Sequence, residues 1–184
     1  LHLNYRDPIK ALFINSFFSY IPAESNKTTS NYLHGIQFER RDILLSNKSD
    51  MWLGQVYLAK YFNSIRSNLS FNSNFNYYTT SRFQQDKLYP FRINSWEQTF
   101  KINTKISDFL AFVYNANYSV RNSSIKSSVN TFRTSLHLFS QKLKTYYAVT
   151  GNLDFNFQIE HTYNEITQHS FVNLFFGNFG ITYK

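Results

Sequence analysis

Residues 153–163 read Leu-Asp-Phe-Asn-Phe-Gln-Ile-Glu-His-Thr-Tyr. Side chains of an extended strand point alternately to its two faces. This stretch therefore presents Leu153, Phe155, Phe157, Ile159, His161 and Tyr163 on one face. Asp154, Asn156, Gln158, Glu160 and Thr162 occupy the other. A helix would scatter both sets around its axis. The pattern thus restricts the segment to a strand with one apolar and one polar face. A strand of a soluble sandwich alternates in the same way, so the rest of the chain has to say what lies against the apolar side.

Composition narrows the choice. The 184 residues include 20 Phe and 14 Tyr, but only 5 Gly and 3 Pro. Asn and Ser fill much of the remainder. Aromatics favour strands, and Asn and Ser compete with helical hydrogen bonds. Charged residues make up 16% of the chain, against about 25% in an ordinary soluble domain. The formal net charge is +8, which suits an anionic partner such as nucleic acid, lipopolysaccharide or an anionic substrate. No basic block exceeds two residues, so basic groups scattered over turns and loops are the preferred reading. The chain lacks cysteine, which removes disulfide frameworks, zinc fingers and thiol catalysis. No apolar run approaches the ~18 residues of a membrane helix, and residues 1–7 do not read as a secretory signal. With Leu rather than Met at position 1, a piece of a longer protein is expected.

The same alternation recurs along the chain, predicting about eight long strands. They cover Leu12–Ile21, Met51–Phe62, Ser67–Thr80, Ile93–Lys105, Phe109–Val120, Phe132–Val149, Leu153–Tyr163 and a last strand through Phe171 and Tyr183. Tyr5–Ala11 reads as an opening turn around Pro8. Phe13 and Phe17 spoil the polar face of the first strand. The phase of Phe132–Val149 slips between Leu138 and Leu143, and a bulge near Phe139–Gln141 would repair it. Connections near Asn63, Ser107 and Gly151 are short. Those at Pro22–Asp50, Ser81–Phe91, Arg121–Thr131 and Asn164–His169 are longer. Pro22–Asp50 reads as a long loop with some β-structure, including a strand pair within Tyr32–Leu45.

Alternating short and long connections are the layout of an outer-membrane barrel, with short periplasmic turns and long extracellular loops. The expected fold is therefore all-β, an antiparallel meander forming a segment of a transmembrane β-barrel. Polar faces of Asn, Ser and Thr, rather than Lys and Glu, fit a wet lumen. Bulky aromatic faces fit lipid. Tyr20, Trp52, Phe62, Trp96, Tyr118, Tyr163 and Tyr183, near strand ends, are candidates for interfacial girdles.

Several stretches resemble the late barrel of TonB-dependent outer-membrane receptors of the Bacteroidota type, including SusC-like and carboxypeptidase-regulatory-domain-containing members. These are Tyr5-Arg-Asp-Pro-Ile-Lys-Ala-Leu-Phe-Ile-Asn15, the Trp96 strand, Phe109-Leu-Ala-Phe-Val-Tyr114 and Phe175-Phe-Gly-Asn-Phe-Gly-Ile-Thr-Tyr-Lys184. The resemblance implies that residues 1–184 form one partial domain of a 22-stranded barrel, without signal peptide, energy-coupling box, plug or last strands. It implies energised import of a bulky nutrient such as an oligosaccharide, peptide or metal chelate. It also implies outer-membrane lipid around the barrel, contact with the TonB complex through the absent N-terminal part, and a surface lipoprotein as a further partner. No TonB-contacting residue carries over. The competing readings are a passive porin or structural outer-membrane barrel, and a soluble carbohydrate-binding β-sandwich. Nucleic-acid binding lacks a basic aromatic face.

No catalytic, cofactor or metal site is expected. Gly-x-Ser-x-Gly, His-Glu-x-x-His, Walker A and Gly-x-Gly-x-x-Gly patterns are missing from the sequence. His161 and His169 flank the last loop but lack a third ligand. Asp154 and Glu160 share a face about 20 Å apart, too far for a glycosidase pair. Pairing with Lys142 or Lys144 on the preceding strand is the simpler role. Tyr89, Arg82, Lys87, Arg92 and Arg133 are loop groups within reach of a solute, read here as solvated residues. The substrate-binding residues are left unassigned.

Overall fold

The computed structural model turns the alternation into one nine-stranded antiparallel meander, β1 to β9 in chain order. It describes residues 1–34, 37–84, 87–126, 131–167 and 170–183. The strands are β1 His2–Asp7, β2 Leu12–His34, β3 Gln37–Phe62, β4 Ser67–Gln84, β5 Lys87–Lys105, β6 Leu110–Lys126, β7 Thr131–Thr150, β8 Leu153–Thr167 and β9 Ser170–Tyr183. A single 3-10 turn, Asn63–Ile65, joins β3 to β4. Among the described residues no helix is long and apolar enough to cross a membrane, which says nothing of strands.

The all-β meander follows the sequence reading, with three differences. The first is β1, which takes in Tyr5, Arg6 and Asp7, the start of what reads as an opening turn. Asp7 accepts the backbone N–H groups of Ile9 at 3.1 Å and Lys10 at 3.0 Å. That closes a tight turn around Pro8, so His2–Asp7 can pair with Leu12–Phe17. The second is the long connections, which become extensions of the flanking strands. The described residues of Pro22–Asp50 form a hairpin in which Pro22 pairs with Asp50 and His34 with Gln37, with a register shift between Ser25 and Lys27. Residues 22–27 are exposed whereas Thr28 and Ser30 are buried. The extension thus carries polar residues at exposed and buried positions alike and shows no hydrophobic alternation. The third is the phase slip in β7. There is no bulge near Phe139–Gln141; β7 runs in unbroken register with β6 from Thr131 to Tyr147. Leu136 and Leu138 simply lie on the polar side. The irregularity falls between Ala148 and Thr150.

Directly paired residues of antiparallel strands share a face. The row Ile14, Leu58, Phe71, Phe100, Ala116, Gln141, His161, Phe175 therefore crosses eight strands on one side. Apart from Leu136 and Leu138, the apolar sets named for the predicted strands fall on that side. The opposite side carries Asn15, Tyr57, Asn72, Thr99, Asn117, Ser140 and Thr162 in a single row.

Neither side is covered. Phe91, 5% exposed, is the one buried apolar side chain among the described residues. Phe175, Phe179 and Ile181 are each 60% exposed or more. The accessible surface is 13155 Å². A folded monomer of this mass exposes about 9,300 Å². Strand pairing holds the sheet together, and the aromatic face is left for something else to bury.

Candidate functional site: the polar face of the sheet

The polar face is stitched by cross-strand pairs of uncharged groups. Gln55 Nε2 donates to Asn72 Oδ1 at 3.1 Å, and Thr99 Oγ1 to Asn117 Oδ1 at 3.2 Å. Lys142 Nζ donates to Glu160 Oε2 at 3.0 Å. This is the pairing the sequence suggests for that carboxylate, and its half-exposed setting makes it a modest contribution. Asp154 lies on the same face, six positions along β8 and opposite Thr182. The carboxamide of Asn156 lies flat over Gly180, with Oδ1 2.6 Å from where a Cβ would stand.

Toward the end of this face remote from the short turns, Met51, Asn76, Tyr78, Ile93, Ser95 and Arg121 line a hollow of about 540 Å³. Asn76 Oδ1 is buried there without a hydrogen-bond partner. A buried acceptor left unpaired costs about 1–3 kcal/mol, so a donor arriving from a solute would be favoured. Arg121 supplies the complementary donors. One row further out, the guanidinium carbon of Arg82 sits 3.5 Å from the centroid of the Phe91 ring. Burial lowers the pKa of Arg82, the charge of Tyr78 raises it, and neighbouring Arg121 lowers it. The group remains a cation. The hollow thus combines guanidinium donors, an orphaned amide oxygen and the Tyr78 ring.

The structure sorts the basic and aromatic groups singled out in the sequence. Arg82, Lys87 and Tyr89 lie on the polar side with Arg121. Arg92 and Arg133 lie on the apolar side, beyond its aromatic edge. Sequence reading assigned Arg121 to a loop. Its parity against Val120 was the available signal. His161 is on the apolar side, and His169 lies outside the described residues. No group of three His, Cys, Asp or Glu side chains is placed to hold a metal ion among the described residues.

The apolar side has its own polar inset. Tyr114 Oη donates to Gln141 Oε1 at 3.0 Å. Gln141 Nε2 donates to His161 Nδ1 at 3.2 Å, and His161 Nε2–H donates to Asn173 Oδ1 at 2.7 Å. This relay crosses four strands and links every member to the next. His161 also stacks on Phe175, with ring centroids 4.3 Å apart. The aromatic edge is anchored in the same manner. Tyr20 packs on Trp52 at 4.3 Å and donates to Asp50 at 2.6 Å. Trp96 Nε1 donates to Ser73 at 2.7 Å.

No protein-family model and no curated protein matches the chain. Among solved structures, the Pseudomonas putida toluene transporter TodX matches at 9% identity and a TM-score of 0.36. The match covers 95% of this chain and 61% of that one, so the chain spans less than two thirds of its length. A likeness at that level is too loose to carry an argument.

Proposed function

We propose that this chain is part of the wall of an outer-membrane transport barrel, with its aromatic face against lipid and its polar face lining a lumen. The single observation that carries the reading is the register that collects most of the bulky aromatics of nine strands on one uncovered face. Water tolerates no such face at this size, whereas a bilayer requires one.

Geometry supports the reading. The row through Leu12 continues through Lys60, Leu69, Ile102, Tyr114 and Leu143. Leu12 borders its short turn, but Leu143 stands seven residues before Thr150, where β7 ends. Seven residues of ~3.3 Å against five strand spacings of ~4.8 Å give a tilt of about 40–45° if the short turns lie at one level. Transmembrane strands tilt by about this much. At that tilt, the apolar run 153–163 covers a height of about 24 Å, against an apolar band of about 25 Å.

The lumen would offer hydroxyls and carboxamides along the middle rows and guanidinium groups at the outer end. Such a wall suits a hydroxyl-rich or carboxylate-bearing solute. In the finer reading, the parent is a TonB-dependent receptor importing a bulky polar nutrient, which the motif resemblance supports. The same wall supports a transport role.

The test is a pair of substitutions in the natural gene product. Phe157→Arg puts a charge on the lipid side at a cost of about 2–4 kcal/mol near the midplane. It is expected to abolish recovery in the outer-membrane fraction. Asn156→Arg, on the lumen side, is expected to be recovered normally. Equal recovery of both variants, or a wild-type protein that stays monomeric in buffer without detergent, would favour a soluble sandwich.

A further inference from the structure

Beyond the aromatic edge of the lipid-side face, two rows change character. Trp96, Tyr118 and Phe139 give way to the row Tyr77–Asn94–Asn122–Ser135, and then to Thr79–Arg92–Ser124–Arg133. These rows enclose a groove of about 450 Å³, lined chiefly by Tyr77, Arg92, Asn94, Asn122, Ser124 and Arg133. We propose that this groove binds the phosphate of a membrane lipid whose acyl chains lie over the aromatic face below it.

Arg92 and Arg133 both pair with Ser124, one from each side. Their backbones are therefore two strand spacings apart, about 9–10 Å. Two guanidinium forks at that separation can converge on one phosphate, each binding it through two N–H groups. The Ser124 hydroxyl and the two asparagine carboxamides supply further donors. Asp50 and Glu165 are acids of the same face. Asp50, in the same row beyond Thr79, accepts from Tyr20 Oη. Glu165 accepts the backbone N–H of His137 at 3.1 Å.

Position selects a lipid over a dissolved anion. The groove opens on the aromatic side of the sheet, not on the polar side with Arg82 and Arg121. Its lower rim is the tyrosine and tryptophan edge that would mark the membrane interface. A bound headgroup would therefore remain continuous with acyl chains covering the face beneath. This inference rests on the membrane reading above.

The experiment uses the natural gene product purified in an uncharged detergent, exchanged with phosphatidylglycerol or with a phosphate-free galactolipid, and read by native mass spectrometry. The wild type is expected to retain at least about tenfold more phosphatidylglycerol, as two charge-assisted contacts would give. Arg92→Gln with Arg133→Gln is expected to lose that preference. Asn122→Asp keeps both arginines and adds a repelling charge, so it is expected to lose the preference even if the double variant folds poorly. Preference unchanged in Asn122→Asp, or equal retention of the galactolipid, would overturn the proposal. Displacement by inorganic phosphate at a matching concentration would also overturn it, because the site would then serve a soluble anion. A protein that inserts normally but shows no preference sinks the lipid site alone. A wild type that needs no detergent sinks the membrane reading beneath it.

Discussion

Gln141, His161 and Asn173 sit where a polar atom has no water to fall back on if the face meets lipid. Their relay answers this: Gln141 donates to His161 Nδ1 and His161 Nε2 donates to Asn173, which calls for the Nε2–H tautomer of His161. Breaking the relay at one point should be worse than removing it. Gln141→Leu strands His161 Nδ1 and Tyr114 Oη and should lower stability by about 1–3 kcal/mol. The triple change Gln141→Leu, His161→Leu and Asn173→Leu should cost less than that single one. Denaturant midpoints of the two variants in detergent decide it; a more damaging triple variant would contradict the relay. At the turn between β5 and β6, Lys105 donates to Asp108 at 2.8 Å. That hydrogen bond, then the lysine's charge, lowers the pKa of Asp108. A depressed carboxylate pKa stabilises the folded turn above the ordinary carboxylate range, and the effect is lost as pH falls through the lowered value. An NMR titration of Asp108 should give a midpoint below the ordinary one, moving up in Lys105→Gln. Both side chains are exposed, so the effect belongs to the turn alone.

The β2–β3 hairpin shows how an element can leave a sheet without abandoning its hydrogen bonds. Antiparallel pairing of β3 with β4 stops at Asp50 and Thr79. Beyond that pair, Asn47, three residues from Asp50, takes over opposite Ser81. Its Nδ2 donates to the Ser81 carbonyl at 2.7 Å, and its Oδ1 accepts the Ser81 N–H at 3.2 Å. One carboxamide thus stands in for a rung of the ladder. Above it the hairpin, irregular between Ser25 and Lys27, brings Ser30 and Asn31 of β2 into parallel pairing with Phe83 and Gln84 of β4. Asn47→Ala should leave both Ser81 groups unpaired. Amide exchange at Ser81 and Phe83 should quicken, while Phe75 and Tyr77 stay protected. Uniform protection would show that the parallel pairing alone holds the hairpin. The sequence places a strand pair within Tyr32–Leu45, and Tyr32 does pair with Glu39 there; the rest of the hairpin and its hold on β4 are not legible in it. Where one face is apolar, as at Phe71–Tyr77, the alternation identifies strand and facing together. Where both faces see water, Asn, Ser and Lys are as compatible with a strand as with a loop. The full length of the β2 and β3 extensions is therefore not marked by alternation. Leu136 and Leu138 misled for a related reason: they lie past the apolar run, where facing no longer follows hydrophobicity. The hollow around Asn76 and Arg121 needed the register of neighbouring strands, which no single strand contains.

At the scale of the whole sheet, β1 pairs only with β2 and β9 only with β8 among the described residues. Each therefore has an outer edge of N–H and C=O groups that hydrocarbon cannot satisfy. Residues 1–184 produced alone should fail to insert, or should close abnormally with a second copy. Protease protection and crosslinking in phosphatidylcholine vesicles would show this; a fully protected monomer would mean that the sheet closes on itself. The parity that separates the two faces also sets which lesions the gene can absorb. Deleting one codon within 153–163 would turn the rest of β8 over. It would carry His161 toward the lumen and Glu160 toward the aromatic side as far as the next connection. Deleting two adjacent codons would shorten the strand but leave every remaining side chain on its own side. Among natural variants of this chain, strand lengths should therefore differ by even steps, and odd steps should gather in the connections.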